Sequence, residues 1–204
     1  MQLDLKLLTE DDRTNLLNGA VVPRPIAWVS TLDRDGNLML ASFSYFTAVC
    51  SDPMTLLFCV SNRDQPAGKV TVRNITALGE FVINFPNNAT AAALNLTTAA
   101  PPTDQSSFEW AGVNATPSQT IRVPRVSEAP IAFECRLQQI MQIGYGPSGT
   151  AVIFAEVKSI YVRDDLYQDG RILIEAYQPI GRLEGNGYTR VTDRFEMTPV
   201  PTPE

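Results

Sequence analysis

PRPIAWVST, residues 23–31, is the stretch on which the fold turns. Its two prolines favour extended backbone, and the β-branched and aromatic side chains that follow predict a strand. Upstream, Thr9 followed by Glu10, Asp11 and Asp12 is a helix start: the hydroxyl accepts from backbone N–H groups and the acids sit at the positive end. Gly19 is expected to close that helix. Downstream, Asp33 to Gly36 supply a turn, and residues 38–47 (LMLASFSYFT) and 54–61 (MTLLFCVS) read as two further strands. The second is nearly continuous in apolar residues and is expected to be buried on both faces.

Further along, Gly68 to Leu78 reads as a helix stopped by Gly79, although Val70, Thr71, Val72 and Ile75 are poor helix formers. Glu80 to Phe85 (EFVINF) is a strand, and the alanine-rich run from Thr90 to Ala100 is a helix ended by Pro101 and Pro102. Residues 101–130, rich in proline, read as a long packed loop, and 131–144 with 151–163 as a hairpin. Short strands with a few helices and no regular strand–helix alternation favour a mainly β, barrel-like α+β fold over a doubly wound sheet. One domain is expected over residues 1–198, with a flexible tail from Pro199.

The 204 residues, 44% hydrophobic and 19% charged, suffice to bury roughly 70% of the unfolded surface. A net charge of −6 argues against nucleic acid or an anionic membrane as partner. No apolar run reaches the length of a membrane span, and MQLDLKLLTEDD lacks the pattern of a signal peptide, so a cytoplasmic location is expected. Cys50, Cys59 and Cys135 are widely spaced, without a C-x-x-C pair, and read as small buried hydrophobes rather than a metal cage. The chain has no histidine. That removes His-based triads, the usual zinc ligands and the commonest general base, so any catalysis must need little side-chain proton transfer or borrow a cofactor.

Two patterns mislead. Gly144, Gly146 and Gly149 spell G-x-G-x-x-G, but Pro147 and the strand-like AVIFAEV follow where a dinucleotide site needs a helix, so a hairpin is the better reading. The N-x-T triplets headed by Asn74, Asn88, Asn95 and Asn114 have glycosylation meaning only in a secreted chain.

Three segments carry groups suited to a phosphorylated ligand with a flat ring. In 23–31, Arg24 offers a cationic fork and Ser30 and Thr31 offer hydroxyls at a strand end. Ala41-Ser42-Phe43-Ser44 is small enough to let a ring approach the backbone, with Ser51 further on. On a helix, Lys69 and Arg73 fall on one face, near Thr71 and Asn74, as a phosphate cradle. Those are the requirements of FMN, although each piece alone is more often a solvated face or plain core.

The order of the pieces resembles the FMN-binding split-barrel family of flavin reductase-like proteins, which includes the reductase partners of two-component flavin monooxygenases and flavoredoxin-type proteins. The landmarks are PRPIAWVST at 23–31, A-x-F-S at 41–44, SDP at 51–53, K-x-T-x-x-N at 69–74, GEFVIN at 79–84 and PIGRLEGNGY at 179–188, and the likeness spans about residues 8–190. The resemblance implies a Greek-key split barrel, a homodimer with FMN at the subunit interface, and a monooxygenase as a candidate partner. It implies Ser30 and Thr31 as ligands of the ring or ribityl chain and Ala41, Ser42, Phe43 and Ser44 as the edge along the isoalloxazine. For the phosphate and ribityl group it implies Ser51, Lys69, Thr71 and Asn74, with Arg24 as an addition. Met39, Ser42 and Val70 depart from residues common in the family, Asn, Pro and Asp respectively, which changes hydrogen bonding near the ring.

The implied chemistry is hydride transfer from NADH or NADPH to the flavin, which needs stacking and a polar surround but no obligatory protein acid or base. Two alternatives stay open: a tightly held FMN that only relays electrons, and a protein that holds a flavin or another phosphorylated ligand for sensing or storage. The choice between NADH and NADPH has no signature in the sequence.

Overall fold

A computed structural model describes residues 1–62, 66–102 and 104–200. Thr9 caps the first helix, α1 (Glu10–Ala20), in a capping box with Asp12. The helix runs through Gly19 instead of stopping there: its terminal carbonyls, Asn18 O and Val21 O, accept from the Arg24 guanidinium, so no left-handed glycine is needed. Next come β1 (Ala27–Leu32) and β2 (Leu38–Phe43), joined by a turn in which the Asp33 carboxylate accepts from the N–H groups of Asp35 and Asn37. The run expected as one strand over 38–47 breaks at Ser44–Tyr45. Beyond the break lie β3 (Phe46–Ser51) and β4 (Met54–Ser61).

The helix expected from Gly68 begins earlier, as α2 (Pro66–Leu78), and β5 (Glu80–Phe85) has the expected bounds. The alanine-rich helix is shorter than expected, α3 (Ala91–Leu96), because the Thr97 and Thr98 hydroxyls turn back onto Leu94 O and Asn95 O. The segment read as a loop holds α4 (Ser107–Ala111), with a Ser106/Glu109 capping box and a left-handed Gly112 at its end, and the minimal hairpin β6 (Ala115–Thr116) with β7 (Arg125–Val126). Two long strands, β8 (Ile131–Ile143) and β9 (Thr150–Val162), meet as the expected hairpin, and Gly144 and Gly146 take positive φ at its tip, which excludes the dinucleotide motif. The rest comprises β10 (Tyr167–Gln168), β11 (Arg171–Ile172), α5 (Ile174–Tyr177), β12 (Ile180–Arg182) and β13 (Tyr188–Arg190). Of the expected flexible tail, residues 199–200 follow without regular structure and 201–204 lie outside the described residues. No described helix is long and apolar enough to cross a membrane.

Seven strands form one antiparallel sheet in the order β2-β1-β5-β8-β9-β4-β3. Its two edge strands, β2 and β3, are joined only through Ser44 and Tyr45. A flat sheet with six inter-strand gaps would hold its edges about 29 Å apart, whereas three trans Cα steps reach at most about 11 Å. The sheet must therefore curl until its edges meet. The closure is visible in the bond from Cys59 N to Tyr45 O (2.8 Å) and in the Phe43 and Phe58 rings, whose centroids are 5.1 Å apart. The return through α2 lays β5 beside β1, the Greek-key step. Away from Ser44 the seam is filled by α2, which packs on β1 and β2 and reaches β4. This is a split barrel.

Strand alternation sends Ala27, Val29, Phe58, Phe81, Ile83, Cys135, Ile153 and Ala155 inward, where Ile75 of α2 joins them. Trp28 points outward into a second core under α3 and α4, its indole N–H bonded to Thr97 Oγ1. Residues 91–130 thus cover the outer face of one half of the barrel. Among the described residues the other half has no such cover. On it Leu57 and Cys59 of β4 are only half-buried, against the expectation of burial on both faces, and β3 is exposed from Thr47 to Ser51. Cys50, read as a buried hydrophobe, is exposed for that reason, whereas Cys135 is buried.

Glu134 of β8 anchors the covering segment: its carboxylate accepts from Gln119 N (2.7 Å), Thr120 N (2.7 Å) and Thr120 Oγ1 (2.6 Å). Burial pushes its pKa up, but these donors and the nearby Arg125 charge outweigh burial, and the net direction is down. A lowered carboxyl pKa gives stability that is complete above the unfolded value, about 4.3, and lost as pH falls through the folded one. Glu134→Gln should cost about 1–3 kcal/mol at neutral pH and flatten the acid limb of Tm against pH; an unchanged acid limb would remove Glu134 as the anchor.

Candidate functional site

Two features of the seam stand out: the outer edge of β2, and helix α2, which packs on β1 and β2 and carries two cations. Leu40 N donates to Ser107 Oγ (2.6 Å), so its amide points off the sheet, away from β1. Antiparallel alternation aims the Ser42 N–H and C=O the same way, two residues on. Ser42, Phe43 and Ser44 are half-buried, and Ala41 turns its small side chain inward opposite Val29. Of the 41–44 element, 42–44 therefore forms a half-buried strand edge, whereas Ala41 is buried.

Helix α2 splits its candidates by face. Lys69 and Arg73 lie on the exposed side, four residues apart. Thr71 and Asn74, each 1% exposed, lie on the side packed against the barrel. The Thr71 hydroxyl donates to Ala67 O (2.8 Å), and Asn74 Nδ2 donates to Thr31 Oγ1 (3.1 Å), which ties α2 to β1. Successive residues of β1 face opposite sides, so Thr31 joins Asn74 whereas Ser30 points outward, donating to Pro124 O (2.7 Å) and accepting from Asn84 Nδ2 (3.3 Å). Ser30 and Thr31 are fully buried. Along this side of the seam, direct access belongs to the 42–44 edge and Lys69, while Thr31, Thr71 and Asn74 set where α2 lies.

Arg24 and Ser51 fall elsewhere. Arg24 precedes β1 at the end remote from Thr31; Nη1 donates to Asn18 O (2.7 Å) and Val21 O (2.9 Å), Nη2 to Leu183 O (2.9 Å) and Nε to Ser44 Oγ (3.3 Å). It is not brought together with Lys69, Thr71 or Asn74. Ser51 is exposed at the end of β3 opposite Met54, whereas α2 follows the other end of β4. It stands apart from Lys69 in a single chain.

Several residues that shape the site went unnoticed in the sequence. Ser107 takes up the neighbouring amide of β2, and the Ser106-x-x-Glu109 capping pattern would have placed its helix. Asn84, in GEFVIN, donates to Trp28 O (2.9 Å) and accepts from Val126 N (2.8 Å), which clamps β1 and β5 to the covering segment. Tyr45 donates to Asn18 Oδ1 (2.9 Å), a link only the folded chain reveals.

Among the described residues the edge has no group suited to acid–base work near neutral pH. Its polar side chains are serines and cations, so its chemistry is binding and electrostatics. Concavities of about 280 Å³ at Asn88, Gln178 and Arg190, and of about 610 Å³ at Leu3, Leu16 and Glu184, lie away from it.

The sequence profile of the flavin reductase like domain matches residues 19–177. An uncharacterised protein of Aquifex aeolicus is 36% identical over 191 residues, 93% of this chain and 95% of its own. The structure of nitrilotriacetate monooxygenase component B from Bacillus cereus superposes with a TM-score of 0.91 at 33% identity, covering 97% of this chain and 98% of that one. That of the 2-nitrobenzoate 2-nitroreductase NbaA from Pseudomonas fluorescens gives 0.88 at 33% identity, covering 99% and 97%. This chain belongs to the flavin reductase-like family.

Proposed function

We propose that the chain binds FMN along the open edge of β2 and passes a hydride from NADH or NADPH to it, as a homodimer. The observation that carries this reading is the half-buried 42–44 backbone edge, with α2 and its exposed Lys69 and Arg73 packed into the same seam, in a chain that matches its family over most of its length. The Ser42 N–H and C=O address the polar rim of the ring, and Phe43 gives it an apolar neighbour. Lys69 takes the phosphate, held in place by α2 through the Thr31–Asn74 bond and the Thr71 hydroxyl. Bound flavin supplies the redox chemistry; the protein orients it, which is why a chain without histidine suffices.

The homodimer follows from what the single chain leaves unfinished. Met141 and Ile143 of β8, Phe154 of β9, and Leu57 and Cys59 of β4 share the uncovered outer face, an apolar surface that a second copy would bury. A second copy would also wall the open edge and offers the route by which Ser51 joins a flavin site. Ile143→Glu should shift sedimentation toward monomer and weaken FMN binding together; a dimer that persists would place the interface elsewhere.

A second reading rests on the equal identity to the nitroreductase: reduced flavin stays bound and hands its electrons to a small organic acceptor. The likeness to a monooxygenase component B supports the first reading and a monooxygenase as the consumer of reduced flavin. Equilibrium dialysis with FMN, followed by anaerobic addition of NADH and NADPH in turn, tests both. Saturable binding and rapid bleaching of the visible flavin band are expected, with Lys69→Ala weakening binding about tenfold or more. No FMN binding would overturn the proposal. Steady NADH or NADPH consumption with excess free FMN as the electron acceptor favours the first reading, and consumption only when a nitroarene is present the second.

A further inference from the structure

Arg24 is 5% exposed and no carboxylate pairs with it among the described residues. Three of its partners are backbone carbonyls and the fourth is the Ser44 hydroxyl. Neutral acceptors solvate a guanidinium without cancelling its charge, so a full positive charge sits desolvated inside the fold, where electrostatic reach is long. The Tyr45 ring, 5.9 Å from the guanidinium carbon, adds a further neutral contact.

The position of that charge matters. Ser44 ends the edge that begins at Ser42, and it is half-buried. Its oxygen accepts from Arg24 Nε, which orients the hydroxyl and leaves its hydrogen for another acceptor; none is paired with it among the described residues. A donor whose oxygen already accepts from a cation is strengthened. A hydride brings two electrons and one proton, so it adds one negative charge to any neutral ring that receives it. A buried cation behind a half-buried hydroxyl at the end of the edge is built to favour that charge.

We propose that Arg24 is a positioning residue which, through Ser44, makes the site hold reduced FMN more tightly than oxidised FMN. The proposal rests on the reading of the 41–44 edge as the flavin contact. It differs from an anchoring role on the phosphate, since Arg24 lies at the opposite end of β1 from Asn74 and Thr31. It also differs from a purely structural latch on α1 and the 180–190 hairpin, which would alter stability without regard to the redox state of the ligand.

The experiment is anaerobic titration of the wild-type protein and of Ser44→Ala, Arg24→Gln, Arg24→Lys and the Ser44→Ala/Arg24→Gln pair with oxidised and with chemically reduced FMN, alongside thermal melts. The reduced-to-oxidised affinity ratio should fall about tenfold in Ser44→Ala and in Arg24→Gln, equal to about 30 mV for a two-electron couple. Arg24→Lys should recover part of it, and the double variant should lose little more than either single one. A wild-type ratio in a folded Arg24→Gln protein would leave Arg24 a latch and overturn the proposal. If Arg24→Gln does not fold, a wild-type ratio in Ser44→Ala overturns it instead. Failure of the wild type to bind either form would sink the flavin reading itself, a different result from binding with an unshifted ratio.

Discussion

The two-residue link between β2 and β3 is the constraint from which the rest follows. Ser44 and Tyr45 join strands that occupy opposite edges of a seven-stranded sheet, and a chain so short cannot span the sheet unless it curls. Closure brings Phe43 onto Phe58, gathers the inward side chains into one core, and leaves a seam that widens away from the link. Helix α2 fills that widening. The residues of the proposed site are thus assembled by closure: the end of β2 supplies the backbone edge, and the helix wedged into the seam supplies cations.

The same geometry explains why such a site suits a cofactor rather than side-chain catalysis. An edge strand offers N–H and C=O groups in fixed directions, and serines beside it offer hydroxyls that neither gain nor lose protons near neutrality. Electron transfer needs placement and a tolerant field. The buried Asn84 and Glu134 hold the covering segment to one half of the barrel, which leaves the outer face of the other half uncovered among the described residues.

Much of the fold was legible because it is local. Strands β5, β8 and β9 follow from β-branched and aromatic runs bounded by glycine and proline, and the Thr9 capping box from its residue pattern. What stayed hidden is what depends on closure. LMLASFSYFT reads as one strand because nothing in its composition marks Ser44–Tyr45 as the point where the chain changes edges. The exposure of Cys50 depends on the face of β3 being left uncovered. The site divides likewise: residue types and order singled out the 41–44 edge and the Lys69 helix, but burial of Thr31, Thr71 and Asn74, and the turning of Arg24 toward Ser44, are decided by packing among elements far apart in sequence.

The most direct test is a crystal structure of the protein grown with FMN. The isoalloxazine should lie against Ser42–Ser44 with the phosphate at Lys69, between two copies of the chain that meet through Leu57, Phe154 and Ile143. A flavin bound within one subunit at the Asn88–Arg190 concavity, or a ring remote from β2, would contradict the account.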